Sequence, residues 1–319
     1  MIKFEQLLEQ LNGLLKYEIG SKVELVEFEI TKERDDYLVL AAQLRHPERK
    51  VNVKLAGPQA SYPCQFDQTA AIYHLVNQRC DIPTLEVIAA DISYQNWPWR
   101  YLITTYLAGK EWAAYRMQMD ADQRSSAYRQ IGEIVAKIHS LDFPFFGEIA
   151  LNGSVLTKLP YIEALKERAN TRIIDTNLYQ FFLSVLERYS HLFADINDAR
   201  LCHEDLHHFN ILFSQSQGGW VLSGILDFDK AWSGHHEIDL ARMEFWRGMT
   251  NKEFWNAYQK RISISPMYQQ RKLIYQLLWC LEFAQLTEEH IKDTQEVCGL
   301  LGVSFPGFSN MEHFGMNNR

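Results

Sequence analysis

Short runs rich in β-branched and aromatic residues, set apart by Pro, Gly and charged turns, mark the first third of the chain. Tyr37 to Leu44 (YLVLAAQL), Val51 to Leu55 (VNVKL) and Tyr101 to Tyr106 (YLITTY) predict strands. Between the second and third, Gln68 to Asn77 (QTAAIYHLVN) places Ile72, Leu75 and Val76 on one helical face, and Asp67 stands ahead of it where a carboxylate caps first-turn amides. At the start, Phe4, Leu7, Leu8, Leu11 and Leu15 repeat at helical spacing among acids, the pattern of an amphipathic helix rather than a signal peptide. After Leu107-Ala108-Gly109 the spacing becomes that of long helices. Ile131, Ile134, Val135, Ile138 and Leu141 define one, and Phe182, Val185, Leu186, Tyr189 and Leu192 the next. Leu273, Ile274, Leu277, Leu278 and Leu281 define a later one, TEEHIKDTQE reads as a solvated helix face, and the final SFPGFSNMEHFGMNNR is expected to be loosely held. The expectation is an α+β chain of two lobes: a small strand-rich lobe over residues 1–107 and a larger helical lobe over 108–319.

Composition narrows the functions such a chain can serve. With 319 residues, 47% of them hydrophobic, it can fill more than one core. Cys64, Cys80, Cys202, Cys280 and Cys298 are odd in number and never spaced as CxxC, which argues against a disulfide framework or a thiolate zinc site and fits a reducing cytoplasm. The formal net charge of -8 is unlike the basic surface of a nucleic-acid binder and tolerates a cationic substrate. No apolar stretch is long enough to span a bilayer, so neither nucleic acid nor membrane is an expected partner.

Chemistry gathers in LCHEDLHHFNILFSQSQGGWVLSGILDFDKAW, residues 201–232. Two apolar strands, Ile211 to Phe213 and Trp220 to Leu226, flank a polar turn at Gly218-Gly219 and read as a β-hairpin. His203, Asp205 and Asn210 stand at its entrance and Asp227 at its exit, so hairpin closure brings distant oxygen-bearing side chains together. Carboxylates and an amide carbonyl suit Mg²⁺, and a metal beside a base suits phosphoryl transfer, in which the protein positions groups and neutralises phosphate charge.

HEDLHHFN and the following ILDFD resemble the His-x-Asp-x-x-x-x-Asn and Asp-Phe-Gly elements of the protein-kinase-like fold. More closely, they resemble the aminoglycoside phosphotransferase and choline kinase family. Its His-Gly-Asp-Leu-His-x-x-Asn, Ile-Asp-Trp/Phe and Gly-x-x-x-x-Asp-Leu-Ala elements are matched by His203 to Asn210, Ile225 to Phe228 and Gly234 to Ala241. Upstream, IGEIVAKIHSLDFPFFG is similar to the family's Leu-Gly-x-x-Leu-Ala-x-Leu-His helix, and YLITTYLAG to its lobe connection. The ordered set runs from about Val51 to Ala241 and is far more specific than any one motif. The resemblance implies a magnesium-dependent small-molecule kinase using ATP or GTP, with Asp205 as catalytic base, Asn210 and Asp227 as metal ligands and Lys54 on the nucleotide phosphates. It further implies that Thr105, Tyr106 and Leu107 line the base slot and that Asp239 braces the catalytic loop or caps the helix DLARMEFW, while His203 is read as a residue that hydrogen-bonds and braces the loop.

Four positions depart from the pattern. ITKERDDYLVL, before Lys54, carries charges where a protein kinase places glycines. Asp67 and Gln68 occupy the place of the glutamate that usually partners Lys54. Glu204 replaces a glycine, and Asp229 follows Phe228 where a protein kinase has glycine; both read as substrate-side acids favouring a cationic acceptor. A cage of Trp112, Trp232, Trp246, Trp255 and Trp279 would suit a quaternary ammonium, against which stands ordinary core packing. Two other classes are weighed beside the kinase: a metallohydrolase using His203, Asp205, His207 and Asp227, and a non-catalytic kinase-like binding module. The acceptor expected of the kinase is an aminoglycoside, amino alcohol or sugar.

Overall fold

The computed structural model describes residues 4–60, 64–282 and 287–309. Along the chain, α1 (Phe4–Ile19), β1 (Glu24–Arg34), β2 (Tyr37–Arg45) and β3 (Arg49–Ala56) lead into α2 (Phe66–Arg79), β4 (Val87–Asp91) and β5 (Arg100–Thr105). Next come β6 (Lys110–Glu111), α3 (Trp112–Tyr115), α4 (Ala121–Ile138), β7 (Asp142–Phe143), α5 (Tyr161–Arg172), α6 (Thr176–Arg188) and β8 (Ala199–Cys202). The hairpin β9 (Ile211–Ser216) and β10 (Gly219–Ile225) precedes β11 (Trp232–Gly234), α7 (Glu237–Phe245), α8 (Lys252–Tyr258), α9 (Tyr268–Leu281) and α10 (Glu288–Leu300). Residues 1–124, 150–153 and 209–229 form one compact unit, and residues 125–149, 154–208 and 230–319 the other.

In the first unit an antiparallel sheet runs in the order β1-β2-β3-β5-β4. Alternation sorts its side chains onto two faces. Leu40, Ala42 and Leu44 of β2, Val51, Val53 and Leu55 of β3, and Tyr101 and Ile103 of β5 pack against Leu7, Leu11, Leu14 and Leu15 of α1. Leu8, expected on that face, is instead 41% exposed, and Leu14 takes its place because it falls one helical turn from Leu11. Leu102 joins Ala56, Phe66 and Ala70 in a separate cluster on the α2 side. Since Lys54 alternates with Val53 and Leu55 and pairs in register with Leu102, it belongs to the α2 face. The charged stretch ahead of Tyr37 is the long edge strand β1, turned into β2 by Asp35 and Asp36 at φ 42° and 62°, the left-handed pair that a two-residue hairpin turn requires.

The β9–β10 hairpin also belongs to this unit. It pairs with β6, and Thr84 fastens its end: the Ile225 amide donates to Pro83 O at 2.9 Å and the Thr84 hydroxyl to Ile225 O at 2.9 Å.

The second unit is helical around a short sheet, β11-β8-β7. Asp175 caps α6 by accepting from the Asn177 and Leu178 amides, and Thr287 caps α10 by accepting from His290. Glu288, Glu289 and Glu296 of α10 are exposed while His290 and Thr294 are buried, so only one side of TEEHIKDTQE is a solvated face. The terminal stretch is partly anchored: Phe305 meets Phe181 and Phe308, and Phe308 meets His290, because the aromatic residues between its polar ones find apolar surface. Residues 310–319 of it lie outside the described residues. No described helix is long and apolar enough to cross a membrane, and all five cysteines are free.

Candidate active site

Hairpin closure sets the first group of candidate residues. The Leu226 amide donates to Asn210 O at 2.9 Å, which places Asn210 and Asp227 at one mouth. Asp227 is held at φ 66° and its amide donates to the Tyr73 hydroxyl of α2 at 3.0 Å. A non-glycine residue in this region is uncommon and is retained where surrounding contacts over-determine it.

From β3, Lys54 Nζ reaches Asp227 Oδ1 at 2.8 Å and Asp229 Oδ2 at 2.9 Å. The partner of Lys54 is therefore this pair and not Asp67 or Gln68. Asp67 lies inside the first turn of α2, too short to leave it, and accepts from the Gln68 amide at 2.9 Å. Burial alone would lower the Lys54 pKa, yet Asp227 and Asp229 hold it well above the ordinary lysine value. Burial, followed by the Asp227 charge, pushes Asp229 up to about 6 against the pull of Lys54. One ammonium thus serves two carboxylates, and Asp229 Oδ1 is buried without a hydrogen-bond partner among the described residues. This donor set fits a divalent cation: oxygen ligands, an excess of negative charge and an unsatisfied buried oxygen. Asp229, expected on the substrate side, stands instead in the Lys54 group.

Thr105 is tied down at the end of β5. Its amide donates to Glu86 O at 2.9 Å, its hydroxyl accepts from the Glu86 amide at 2.9 Å, and its carbonyl accepts from Asn52 Nδ2 at 3.2 Å. Tyr106 and Leu107 follow it. The Tyr106 ring carries Lys50 Nζ 4.3 Å from its centroid, and Leu107 packs so close to Gly224 that a Cβ there would lie 2.7 Å from Leu107 Cδ1.

Asp205 belongs to the second unit, in a different electrostatic setting. Arg242 Nη2 lies 3.2 Å from its Oδ1, His207 Nε2 3.7 Å from its Oδ2 and Lys230 Nζ 3.9 Å from its Oδ1. Arg242 and Lys230 also meet Glu282, at 3.1 and 3.5 Å. Burial alone would raise the Asp205 pKa, but His207, Arg242 and Lys230 hold it far below the usual carboxylate range. Lys230, Arg242 and Glu282 escaped the sequence reading. The signal was present: Arg242 directly follows Asp239-Leu240-Ala241, and Glu282 ends the apolar run of α9, where an acid is out of place.

The loop that carries Asp205 hangs on Asp239. Its Oδ2 accepts from the His203 amide at 2.7 Å and its Oδ1 from the Glu204 amide at 2.6 Å, while His139 Nε2 lies 3.0 Å from Oδ2 and His139 Nδ1 2.8 Å from the Tyr258 hydroxyl. Burial would raise the Asp239 pKa, but His139 and the amide donors keep it below its ordinary value. His203 Nδ1 accepts from the Asp205 amide at 3.2 Å. Glu204 sits at φ 57°, in the left-handed region that glycine adopts without strain. Its carboxylate is buried against Arg168, with Nε at 2.9 Å and Nη2 at 2.5 Å, and Arg242 bonds its carbonyl. The expected substrate-side role of Glu204 is thereby corrected: its charge is consumed inside the unit.

The tryptophans of the expected cage are each packed against neighbouring side chains of their own unit. Trp112 packs on Phe213 in the first unit; in the second, Trp232 packs on Tyr161 and Arg168, Trp246 on Trp279, and Trp255 on Tyr258 and Tyr268. Among the described residues, His203, Asp205 and His207 do not assemble as a cluster of ligand atoms sharing one point. His203 has its Nδ1 turned to a backbone amide.

Residues 29–274 match the profile of the phosphotransferase enzyme family. No curated relative matches the chain. Among solved structures, it is similar to a candidate fructosamine-3-kinase of Haemophilus somnus 129PT, with TM-score 0.64, 14% identity and coverage of 92% of this chain and 97% of that one. It is similar also to a thermostable variant of aminoglycoside phosphotransferase APH(4)-Ia in ternary complex with AMP-PNP and hygromycin B, with TM-score 0.63, 13% identity and coverage of 92% and 96%. Spectinomycin phosphotransferase APH(9)-Ia in complex with ADP and spectinomycin matches with TM-score 0.53, 14% identity and coverage of 92% and 97%. At such low identity the likeness speaks for the fold, which is protein-kinase-like.

Proposed function

The chain belongs to the phosphotransferase enzyme family; from that premise we propose that it is a small-molecule kinase, moving the terminal phosphoryl group of ATP or GTP to a hydroxyl of a sugar-like or aminoglycoside-like alcohol in the cytoplasm. The observation that carries this reading is the Lys54, Asp227 and Asp229 group with Asn210 at the same hairpin mouth. Asn210 and Asp227 would hold Mg²⁺, with Asp229 beside them, and the ion supplies charge neutralisation on the phosphates. Lys54 offers a fixed positive charge to phosphate oxygens, and the backbone of Tyr106 and Leu107 lines the base slot.

On this reading the acceptor oxygen forms a bond to the γ-phosphorus as the bond to the β,γ-bridging oxygen breaks, and the hydroxyl proton passes to Asp205. With its pKa held low, Asp205 is ionised throughout the neutral range, so its contribution is chiefly to aim the hydroxyl while accepting its proton late. Lys230 and Arg242 beside it are matched by Asp205 and Glu282, so this group does not select between a cationic and a neutral acceptor. The structural neighbours named for fructosamine and hygromycin B support a sugar-derived or aminoglycoside acceptor.

A screen of nucleotide consumption over sugars, aminoglycosides and amino alcohols, with ATP and GTP and with or without Mg²⁺, tests the proposal. Asp205→Asn is expected to lower turnover by about 10²- to 10⁴-fold while leaving the circular-dichroism spectrum intact. Parental turnover in that variant removes Asp205 from the mechanism.

A further inference from the structure

The second unit holds a group of metal-ligating side chains with no part in the phosphoryl chemistry above. Pairing of β11 with β8 sets Gly234 opposite Arg200, which brings Asp198, just before β8, beside His235 and His236, just after β11. One ligand atom from each of the three lies within 4.8 Å of the others. Asp198 Oδ1 is 3.9 Å from His235 Nε2, and its Oδ2 is 3.8 Å from His236 Nδ1. Those separations are too long for hydrogen bonds. They approach the roughly 3.4 Å between two ligands that each bond a tetrahedral ion at about 2.0–2.2 Å.

A second observation comes from His236 itself. The residue is only 5% exposed, and its Nδ1, 3.8 Å from Asp198 Oδ2, has no hydrogen-bond partner among the described residues, while a backbone contact from Ser263 favours the protonated ring against the burial that opposes it. A buried nitrogen left unpaired is costly, and a cation would remove that cost. His235 has the support expected of a ligand, since its Nδ1 meets the Tyr275 hydroxyl at 3.1 Å and leaves Nε2 toward Asp198. Burial also keeps both imidazoles neutral, His236 pushed down to about 3 and His235 well below its ordinary value, the form in which they bind metal. Asp198, with its side chain 41% exposed, opens the group to solvent and thus to exchange.

We propose that Asp198, His235 and His236 bind a divalent transition-metal ion of the zinc class, at a site separate from the magnesium ligands. Two imidazoles and one carboxylate favour such an ion over Mg²⁺, which prefers oxygen. The ion would tie the start of β8, which leads into His203 and Asp205, to the start of α7, whose Asp239 holds the amides of that same loop. Its role is to fasten the support of the loop.

The test uses the full chain, stripped with a chelator, dialysed, and titrated with Zn²⁺ and, in parallel, with Co²⁺ alone. The expected result is one equivalent of zinc retained through gel filtration, a visible Co²⁺ absorption band of a tetrahedral site, and a rise in melting temperature with Zn²⁺. Asp198→Asn and His236→Gln are each expected to weaken zinc binding by at least about tenfold, whereas Asp227→Asn keeps the full equivalent. Should His236→Gln fail to fold, the exposed Asp198→Asn decides the matter. Substoichiometric retention by the parent, or parental binding by Asp198→Asn, overturns the proposal, and neither result bears on the kinase reading.

Discussion

Around Lys54 one ammonium faces two carboxylates, Asp227 and Asp229; around Asp205 the carboxylates, with Glu282 as the second, face two cations, Arg242 and Lys230. The first group carries surplus negative charge and an acid driven upward to about 6. The second is balanced, and its aspartate is driven downward. The first arrangement has an excess of negative charge that a further cation would offset. The second is balanced as it stands and keeps its carboxylate ionised. Two acids of one sequence segment can thus be given opposite tendencies by the bases that packing places beside them.

The contrast is broken most severely at Asp227. Asp227→Asn leaves Lys54 with Asp229 alone, and the proposed metal set loses its charged member. Turnover should fall by about 10²- to 10³-fold, with the loss read as a raised Mg²⁺ requirement in steady-state assays.

Next comes Arg242→Gln, which uncovers Asp205 and Glu282 together. Removing one side of a buried ionic group costs about 3 kcal/mol, measurable by urea unfolding. The pH dependence gives a sharper reading. Asp205, Glu282 and Asp239 are held below ordinary carboxylate values in the folded protein. Their stabilisation is therefore fully present above the unfolded values of about 3.9 to 4.3 and is lost as the pH falls through the folded ones. Arg242→Gln should move the acid-unfolding midpoint to higher pH, followed by circular dichroism; an unmoved midpoint would show that Arg242 does not hold Asp205 and Glu282 down.

The smallest effect is expected at Glu204→Gly. Glycine relieves the left-handed backbone by about 1–2 kcal/mol. It also leaves the guanidinium of Arg168, of which only 5% is exposed, with Glu148 as its remaining carboxylate. A net loss of about 2 kcal/mol is predicted from thermal melts.

How far the sequence could be read depended on whether the cause was local. Leu40, Ala42, Val51, Val53 and Ile103 were legible as strand residues because alternation is written along one stretch of chain. The long edge strand β1 was not, since exposure on most of its length permits charges throughout and erases the alternation. In the site, Asn210 and Asp227 followed from the hairpin, whose closure needs only neighbouring strands. The partner of Lys54 did not, because Asp229 reaches it across 175 positions of chain. The pairing of Glu204 with Arg168 and of Asp205 with Arg242 likewise depends on where helices pack, and a single charged letter in α5 or α7 carries no mark of its partner.

Asp36, at the tip of the β1–β2 turn, points its carboxylate at the Gln59 amide at 3.1 Å, and Gly57 is what lets it approach: a Cβ at Gly57 would lie 1.9 Å from that carboxylate oxygen. The tip is thus occupied with its own backbone, and any side chain placed at Gly57 would have to push the Asp36 carboxylate off the Gln59 amide and so loosen the hold of the turn on the end of β3.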